Sequence, residues 1–228
     1  MKQSASELLH WICHAGFYIK TNDTTIFIDP IRISDEVKEK ADIILITHPH
    51  FDHLENNSIK KVADADNVVT IVAPEKALAD IRLDSNHKKL KAAPGYKTTY
   101  NSVGIEAVPA YNNNPERMKF HPKSENWVGY ILDIGGTRIY HSGDTDVIQE
   151  MSELKDIDIA LLSMGGTYTM TFEDALKAAE TIKPKSVVPM HYKMILGEKA
   201  SKELESKVRS HINNAVILKE VQEPIYSF

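Results

Sequence analysis

Apolar positions in this chain fall into short blocks that switch between a two-residue and a helical period. Ile43-Ile44-Leu45-Ile46 is four apolar residues without a break, too short for a helix and the right length for a strand buried on both faces. In the first half, residues 9–19 and 25–28 read as strands joined by a turn at Asn22-Asp23, and 42–47 is the buried strand. The spacing then predicts a helix over 58–64 and a strand over 68–73. Pro74-Glu75 opens a further short helix, with proline in its favoured first turn.

The second half repeats this grammar. Residues 98–100 and 104–110 predict strands, and 128–134 with 137–141 predicts a hairpin across Gly135-Gly136. Residues 157–163 form another apolar strand. A helix is predicted over 172–182, capped by Thr171 with Asp174 as the carboxylate partner of a capping box. Its apolar residues Phe172, Ala175, Leu176, Ala179 and Ile182 share one face, and Pro184 stops it. A strand over 186–189, a helix over 198–211 and a closing strand over 215–218 complete the pattern. Strands followed by helices, twice over, predict two facing sheets covered by helices. The expected class is α/β, a four-layer α/β/β/α sandwich, with residues 1–228 as one domain.

The chemistry gathers where these strands end. Thr47 to His53 reads T-H-P-H-F-D-H, which puts His48, His50, Asp52 and His53 directly after the buried strand. Strand ends are where α/β folds place their reactive groups. Imidazole and carboxylate together suit zinc, iron or manganese. Beyond a strand end the backbone turns freely, so one split puts His48 and His50 on one ion and Asp52 and His53 on a second. Asp144, in H-S-G-D-T, follows the strand over 137–141, and its two oxygens can bridge two cations. His191, in P-M-H-Y, follows the strand over 186–189, and His121 is a third candidate on a loop. Taken singly, Asp144 reads as a turn residue and His191 as a core histidine. Their repeated placement at strand ends favours a metal role for both.

Composition narrows the rest. Hydrophobic residues make up 42% of the chain, no stretch has the apolar length of a membrane span, and residues 1–7 lack the regions of a signal peptide. A cytoplasmic protein with no membrane partner is expected. The single cysteine, Cys13, rules out an internal disulfide and, after Trp11-Ile12, reads as a buried inert thiol. Net charge is −5, and the densest basic group, Lys88, Lys89 and Lys91 beside His87, is too small for a nucleic-acid surface. It reads as a solvated face. The expected partner is a small-molecule substrate, and no apolar stripe is left over to define an oligomer.

At this point the chain resembles the metallo-β-lactamase superfamily. The motifs run in order: Asp29 in I-D-P, H-P-H-F-D-H from His48 to His53, G-D-T at Asp144, and His191. W-I-C-H-A-G-F, Y-H-S-G-D-T and I-K-P-K-S-V-V-P-M-H-Y are similar to motifs of its ascorbate-6-phosphate-lactonase-like branch. The resemblance implies an α/β/β/α hydrolase with two zinc or manganese ions. It implies that His48 and His50 bind the first metal, that Asp52, His53 and His191 bind the second, and that Asp144 bridges. Asp29 would orient a histidine ring from behind. The family usually has a further histidine where this chain has Asn112, preceded by Tyr111. An amide oxygen is a weak zinc ligand and a phenol ionises only near pH 10, so His121 is the expected replacement. His14 also resembles a branch histidine, with no role derived for it.

Two cations imply a water that loses its proton near neutral pH and attacks a carbonyl or phosphoryl centre. Asp52 would hold that nucleophile, and His121 or Tyr111 would protonate the leaving group. A small anionic ester, lactone or phosphodiester is the expected substrate, with lactone hydrolysis first. The alternatives are a mononuclear or non-catalytic metal-binding module and an iron-dependent redox enzyme. Lys193 reads as a surface lysine, and Gly165-Gly166-Thr167 as a tight turn or a source of backbone amides for a substrate.

Overall fold

The computed structural model describes residues 4–63 and 67–228. The first half contains α1 (Ala5–Leu8), β1 (Leu9–Cys13), β2 (Gly16–Lys20), β3 (Thr25–Ile28), β4 (Ile43–Leu45), α2 (Asn56–Val62), β5 (Thr70–Ala73), α3 (Glu75–Asp80) and β6 (Lys88–Lys91). The second contains β7 (Lys97–Tyr100), β8 (Val103–Pro109), β9 (Val128–Ile134), β10 (Thr137–His141), β11 (Ile159–Ser163), α4 (Phe172–Ile182), β12 (Ser186–Met190) and α5 (Lys193–His211). Among the described residues the strands form two six-stranded sheets, ordered β1-β2-β3-β4-β5-β6 and β12-β11-β10-β9-β8-β7. Each begins antiparallel and turns parallel, at β3/β4 in one and β10/β11 in the other.

Burial explains the uninterrupted apolar runs. Ile26 and Ile28 of β3, Ile43 and Leu45 of β4 and Val72 of β5 pack into one core with Val103, Ile105, Tyr130 and Leu132 of the second sheet. Their alternates Phe27, Ile44 and Ile71 point the other way and pack with Ile59 and Val62 of α2 and Ala77 of α3. A central strand with a sheet on one side and helices on the other has no polar face. On the second sheet, Ala175, Ala178 and Ile182 of α4 and Leu204 and Val208 of α5 cover β11 and β12. The four-layer sandwich stands as the pattern predicts. Thr171 caps α4, accepting from the Asp174 amide at 3.1 Å, while Asp174 Oδ2 accepts from the Thr171 amide at 3.2 Å.

Several elements differ from the pattern. The predicted strand over 9–19 is a hairpin, β1 and β2, that turns at His14-Ala15. Both sides of the turn are apolar and buried, so no polar break marks it. The predicted helix over 58–64 begins earlier, at Asn56, and its expected last residue Asp64 lies outside the described residues. The lysine group at 88–91 is edge strand β6, its lysines exposed; lysines along an edge discourage pairing with another chain. α5 begins at Lys193 and kinks at Gly197, whose φ of 74° interrupts the helical path before the predicted stretch.

The expected closing strand at 215–218 is a single bridge. Ala215 meets Val187 of β12, the chain leaves, and Glu220 bridges to Trp11 of β1. The tail thus ties the outer strand of one sheet to that of the other. Along it Lys193 is buried, its Nζ 2.8 Å from Glu220 Oε2 and 4.5 Å from the Trp11 ring centre. This corrects the surface-lysine reading: Lys193 anchors the tail. Cys13 is buried as expected, and burial pushes its thiol far above the ordinary range.

Candidate metal centre

Seven strand ends converge at one end of the sandwich. β1 delivers His14, β3 Asp29, β4 the loop His48–His53, β8 Asn112, β10 Asp144, β11 Gly165 and β12 His191. Three of these residues sit in the left-handed region, His14 at φ 52°, Asp29 at 44° and His191 at 60°. Strain of this kind in non-glycine residues concentrates at functional sites. The His191 amide donates to the His14 carbonyl at 3.0 Å, which joins the two sheets through the backbone.

The side chains form two groups that meet at Asp144. One comprises His48, His50 and His121, the other His14, Asp52, His53 and His191. Asp144 Oδ2 lies 3.2 Å from His121 Nε2, 3.0 Å from His191 Nε2 and 3.9 Å from His48 Nε2, while Oδ1 lies 3.2 Å from His53 Nε2. Asp52 Oδ2 is 3.2 Å from His14 Nε2 and 3.5 Å from His191 Nε2. His48 Nε2 is 3.0 Å from His50 Nδ1. All seven expected metal ligands, His48, His50, Asp52, His53, His121, Asp144 and His191, are therefore brought together.

The groups fit divalent cations on their own chemistry. His53 Nε2, His121 Nε2, His191 Nε2 and Asp144 Oδ1 are all buried without a hydrogen-bond partner. Buried polar atoms are rarely left so, and four of them aimed at one another call for an ion between them. Three imidazoles in one group, and three imidazoles with a carboxylate in the other, match zinc, manganese or iron ligation.

Residues behind the ligands set their ring orientation. Asp29 Oδ1 accepts from the Thr47 amide at 2.8 Å, and Oδ2 accepts from the Thr47 hydroxyl at 2.6 Å and from His53 Nδ1 at 2.7 Å. With its proton given to Asp29, Thr47 Oγ1 is left to accept from His48 Nδ1 at 3.0 Å. Both rings are thereby set to keep a proton on Nδ1, so that Nε2 is the atom free to meet a cation once its own proton leaves. His141 donates from Nε2 to the Ala15 carbonyl at 2.9 Å and accepts from the Gly143 amide at 3.1 Å. It braces both the turn that carries His14 and the turn that presents Asp144. Gly165 packs against His191; a Cβ there would lie 2.6 Å from the His191 carbonyl. That close approach accounts for the first glycine of the Gly165-Gly166 pair.

The electrostatics are those of a centre short of positive charge. Burial opposes ionisation of Asp52 and Asp144, yet the surrounding histidines hold both far below the usual carboxylate range. Burial acts to lower His53 and His191, but Asp144 and its neighbours outweigh it. His53 is raised well above the ordinary imidazole value and His191 to about 9. Burial and neighbouring imidazoles push His14 down to about 3 and His50 to about 4. Protonated His53 and His191 thus neutralise carboxylates that a cation would otherwise neutralise.

Asn112, at the family's histidine position, is buried behind His121. Its amide donates to the Arg117 carbonyl at 3.0 Å and the Tyr168 carbonyl at 2.7 Å, and its backbone N–H donates to the His121 carbonyl at 2.8 Å. It fastens the loop that carries His121, and its Nδ2 also lies 3.1 Å from His121 Nδ1. Arg117 clamps the same loop, with Nη2 2.8 Å from Asp146 and 2.9 Å from Asp174.

Tyr111 stands apart. Its hydroxyl donates to Glu150 Oε2 at 2.9 Å and accepts from Lys123 Nζ at 3.1 Å. A cavity of about 310 Å³ opens over the centre, lined by His50, Phe51, Asp52, Phe120, His121, Asp144, Tyr168 and Phe228. Tyr111, expected as one of two leaving-group acids, is not part of this wall; its phenol is engaged with Glu150 and Lys123. Sequence reasoning gave His14 no role and passed over Trp127. The Trp127 ring packs 4.8 Å from His50 and 5.1 Å from His48, walling the first group. His14 sits at the turn between β1 and β2, inside what the apolar pattern reads as one strand.

Two facing mixed sheets, outer helices and a histidine–aspartate centre at the strand ends define the metallo-β-lactamase fold class. Residues 8–191 match the family model described as a β-lactamase superfamily domain, and the chain belongs to the metallo-β-lactamase superfamily. Among its relatives, a UPF0173 metal-dependent hydrolase from Thermoplasma volcanium is 32% identical over 94% of this chain and 96% of its own. A crystal structure of a Parabacteroides distasonis protein assigned as a metal-dependent hydrolase is 37% identical, covering 93% of this chain and 92% of that one at a TM-score of 0.79. Igni18, a metallo hydrolase from Ignicoccus hospitalis, is 26% identical, covering 94% and 95% at a TM-score of 0.71.

Proposed function

We propose that this chain is a binuclear metal-dependent hydrolase of small carbonyl or phosphoryl substrates, with zinc the first candidate metal and manganese or iron the alternatives. The observation that carries this reading is the pair of ligand groups sharing Asp144, with four buried ligand atoms that have no other partner. His48, His50 and His121 would hold one cation, and His14, Asp52, His53 and His191 the other. Bound there, two divalent cations supply a water ionised near neutral pH and polarise the substrate's oxygen.

The chain's own residues do the rest. Asp52 has one oxygen near His14 and His191 and lines the cavity, so it can orient the nucleophile toward the substrate. Asp29 and Thr47 fix His48 and His53 in the ligating tautomer. His121 serves as a ligand in this reading, which takes it out of the role of leaving-group acid. Ester, lactone and phosphodiester bonds all suit such a centre.

The test is elemental analysis of protein purified without chelator, together with turnover of lactone and phosphodiester substrates. Two ions per chain with hydrolysis support the reading, and Asp144→Ala should lower metal content and activity together. One ion, or full loading without hydrolysis of any substrate, would favour the mononuclear or binding-module alternative.

A further inference from the structure

The wall above the centre is aromatic, and it comes from four separate segments of the chain. Phe51 stands in the histidine loop, Phe120 beside His121, Tyr168 in the loop after β11, and Phe228 at the end of the tail. Phe51 is 71% exposed, Phe228 49% and Tyr168 38%, so three of the five large hydrophobic side chains exposed among the described residues meet at this one opening. They are arranged in edge-to-face pairs. Phe51 and Phe228 have ring centres 5.4 Å apart at 67°, and Phe120 and Tyr168 4.8 Å apart at 90°. Scattered apolar residues need no explanation, but a cluster at the mouth of a polar centre does.

The charges point the same way. Among the described residues no lysine or arginine lines the cavity, and its side-chain carboxylates, Asp52 and Asp144, belong to the floor. Lys119 lies with its Nζ 5.0 Å from the Phe120 ring centre and is not part of the wall. A substrate with a second negative charge, away from the reacting group, would find nothing to pair with.

We infer that the substrate is an uncharged ester or lactone bearing an aromatic ring, the ring held in the Phe51–Phe120–Tyr168–Phe228 collar and the carbonyl lowered to the floor. This rests on the hydrolase reading above. The ring offers its faces and edges to four others, while the carbonyl oxygen is the one polar group the floor must take. Water's oxygen bonds to the carbonyl carbon, the bond from that carbon to the alkoxy oxygen breaks, and the departing oxygen takes the proton the water gives up, giving a carboxylic acid and an alcohol from an ester or one hydroxy acid from a lactone. The inference replaces the anionic substrate expected from the sequence.

Three methyl esters with the same leaving group test it: methyl 3-phenylpropanoate, methyl butanoate and monomethyl succinate, followed by methanol release from the metal-loaded protein. The expected kcat/KM favours the phenyl ester over the other two by about tenfold or more. In Phe228→Ala and Phe51→Ala, with metal content measured alongside, the phenyl-to-butyl ratio falls toward one. Equal rates for phenyl and butyl esters, or a preference for the succinate, would overturn the inference. Calorimetric titration of the loaded protein with 3-phenylpropanoate and butanoate reads the collar without turnover. Tighter binding of the phenyl acid in a protein that hydrolyses nothing would support the collar and sink the hydrolase reading; equal binding would sink the collar alone.

Discussion

Replacing Asp29 by asparagine changes no volume, yet it should damage both halves of the metal centre. In the native arrangement one carboxylate oxygen accepts from Thr47 Oγ1 at 2.6 Å and His53 Nδ1 at 2.7 Å, and the hydroxyl oxygen accepts from His48 Nδ1 at 3.0 Å. In Asp29→Asn, Oδ1 keeps the Thr47 amide, which it accepts at 2.8 Å, so Nδ2 must take the place of Oδ2. That nitrogen has two hydrogens and nothing to accept with. It donates to His53 Nδ1 and to Thr47 Oγ1, and the freed hydroxyl proton of Thr47 turns to His48 Nδ1. Both imidazoles then carry their proton on Nε2, the atom that should meet the ion.

Loss of such an orienting partner costs about 10–100-fold in metal affinity, or about 1.4–2.7 kcal/mol. The assay is competition for zinc against a chromogenic chelator. It is best run at alkaline pH, because Asp29 also helps keep His53 protonated, and proton competition would mask part of the loss at neutral pH. The urea midpoint of the metal-free variant guards against simple misfolding. An affinity within threefold of the wild type, in a folded variant, would refute the tautomer argument.

The pH dependence of stability should flatten when metal is bound. His191 is raised to about 9, so in metal-free protein its contribution is complete below about pH 6.5 and is lost as pH rises through 9, and His53, raised above the ordinary imidazole value, acts in the same direction; urea midpoints should fall between pH 7 and 10 without metal and hold with it. Asn112→Ala removes the donor from two carbonyls, those of Arg117 and Tyr168, and should cost about 2–4 kcal/mol, read by urea unfolding; a loss below about 1 kcal/mol would remove Asn112 from its anchoring role. Tyr111→Phe should leave kcat within about threefold, because the phenol faces Glu150 and Lys123; a loss of 10²-fold or more, the scale of general-acid catalysis, would return Tyr111 to the reaction.

Much of the centre was legible because its ligands follow strands in the sequence as they do in space. β4 is an apolar block with four ligand-type residues directly behind it, and Asp144 and His191 repeat that placement. His14 was illegible for a physical reason. Its turn lies between Cys13 and Ala15, both fully buried, so the chain reads as one strand where it doubles back. Lys193 misled in the opposite way. A lysine two residues past a ligand reads as exposed, but α5 begins there and folds it onto Trp11 and Glu220. The closing strand failed because an apolar run at a sheet edge was read as pairing throughout, whereas the tail touches each edge once and crosses between them. No helix among the described residues is long and apolar enough to cross a membrane.

The division of ligands between the sheets has a bearing on how the molecule matures. His14, His48, His50, Asp52 and His53 come from strands of the first sheet, and His121, Asp144 and His191 from the second. Neither half alone holds a complete set, and the amide of His191 reaches the His14 carbonyl only when the outermost strands of both sheets stand side by side. That contact joins residues far apart in the chain, and closing so long a loop carries an entropic cost. A cation held by ligands from both sheets would bind the assembled pair and neither half alone.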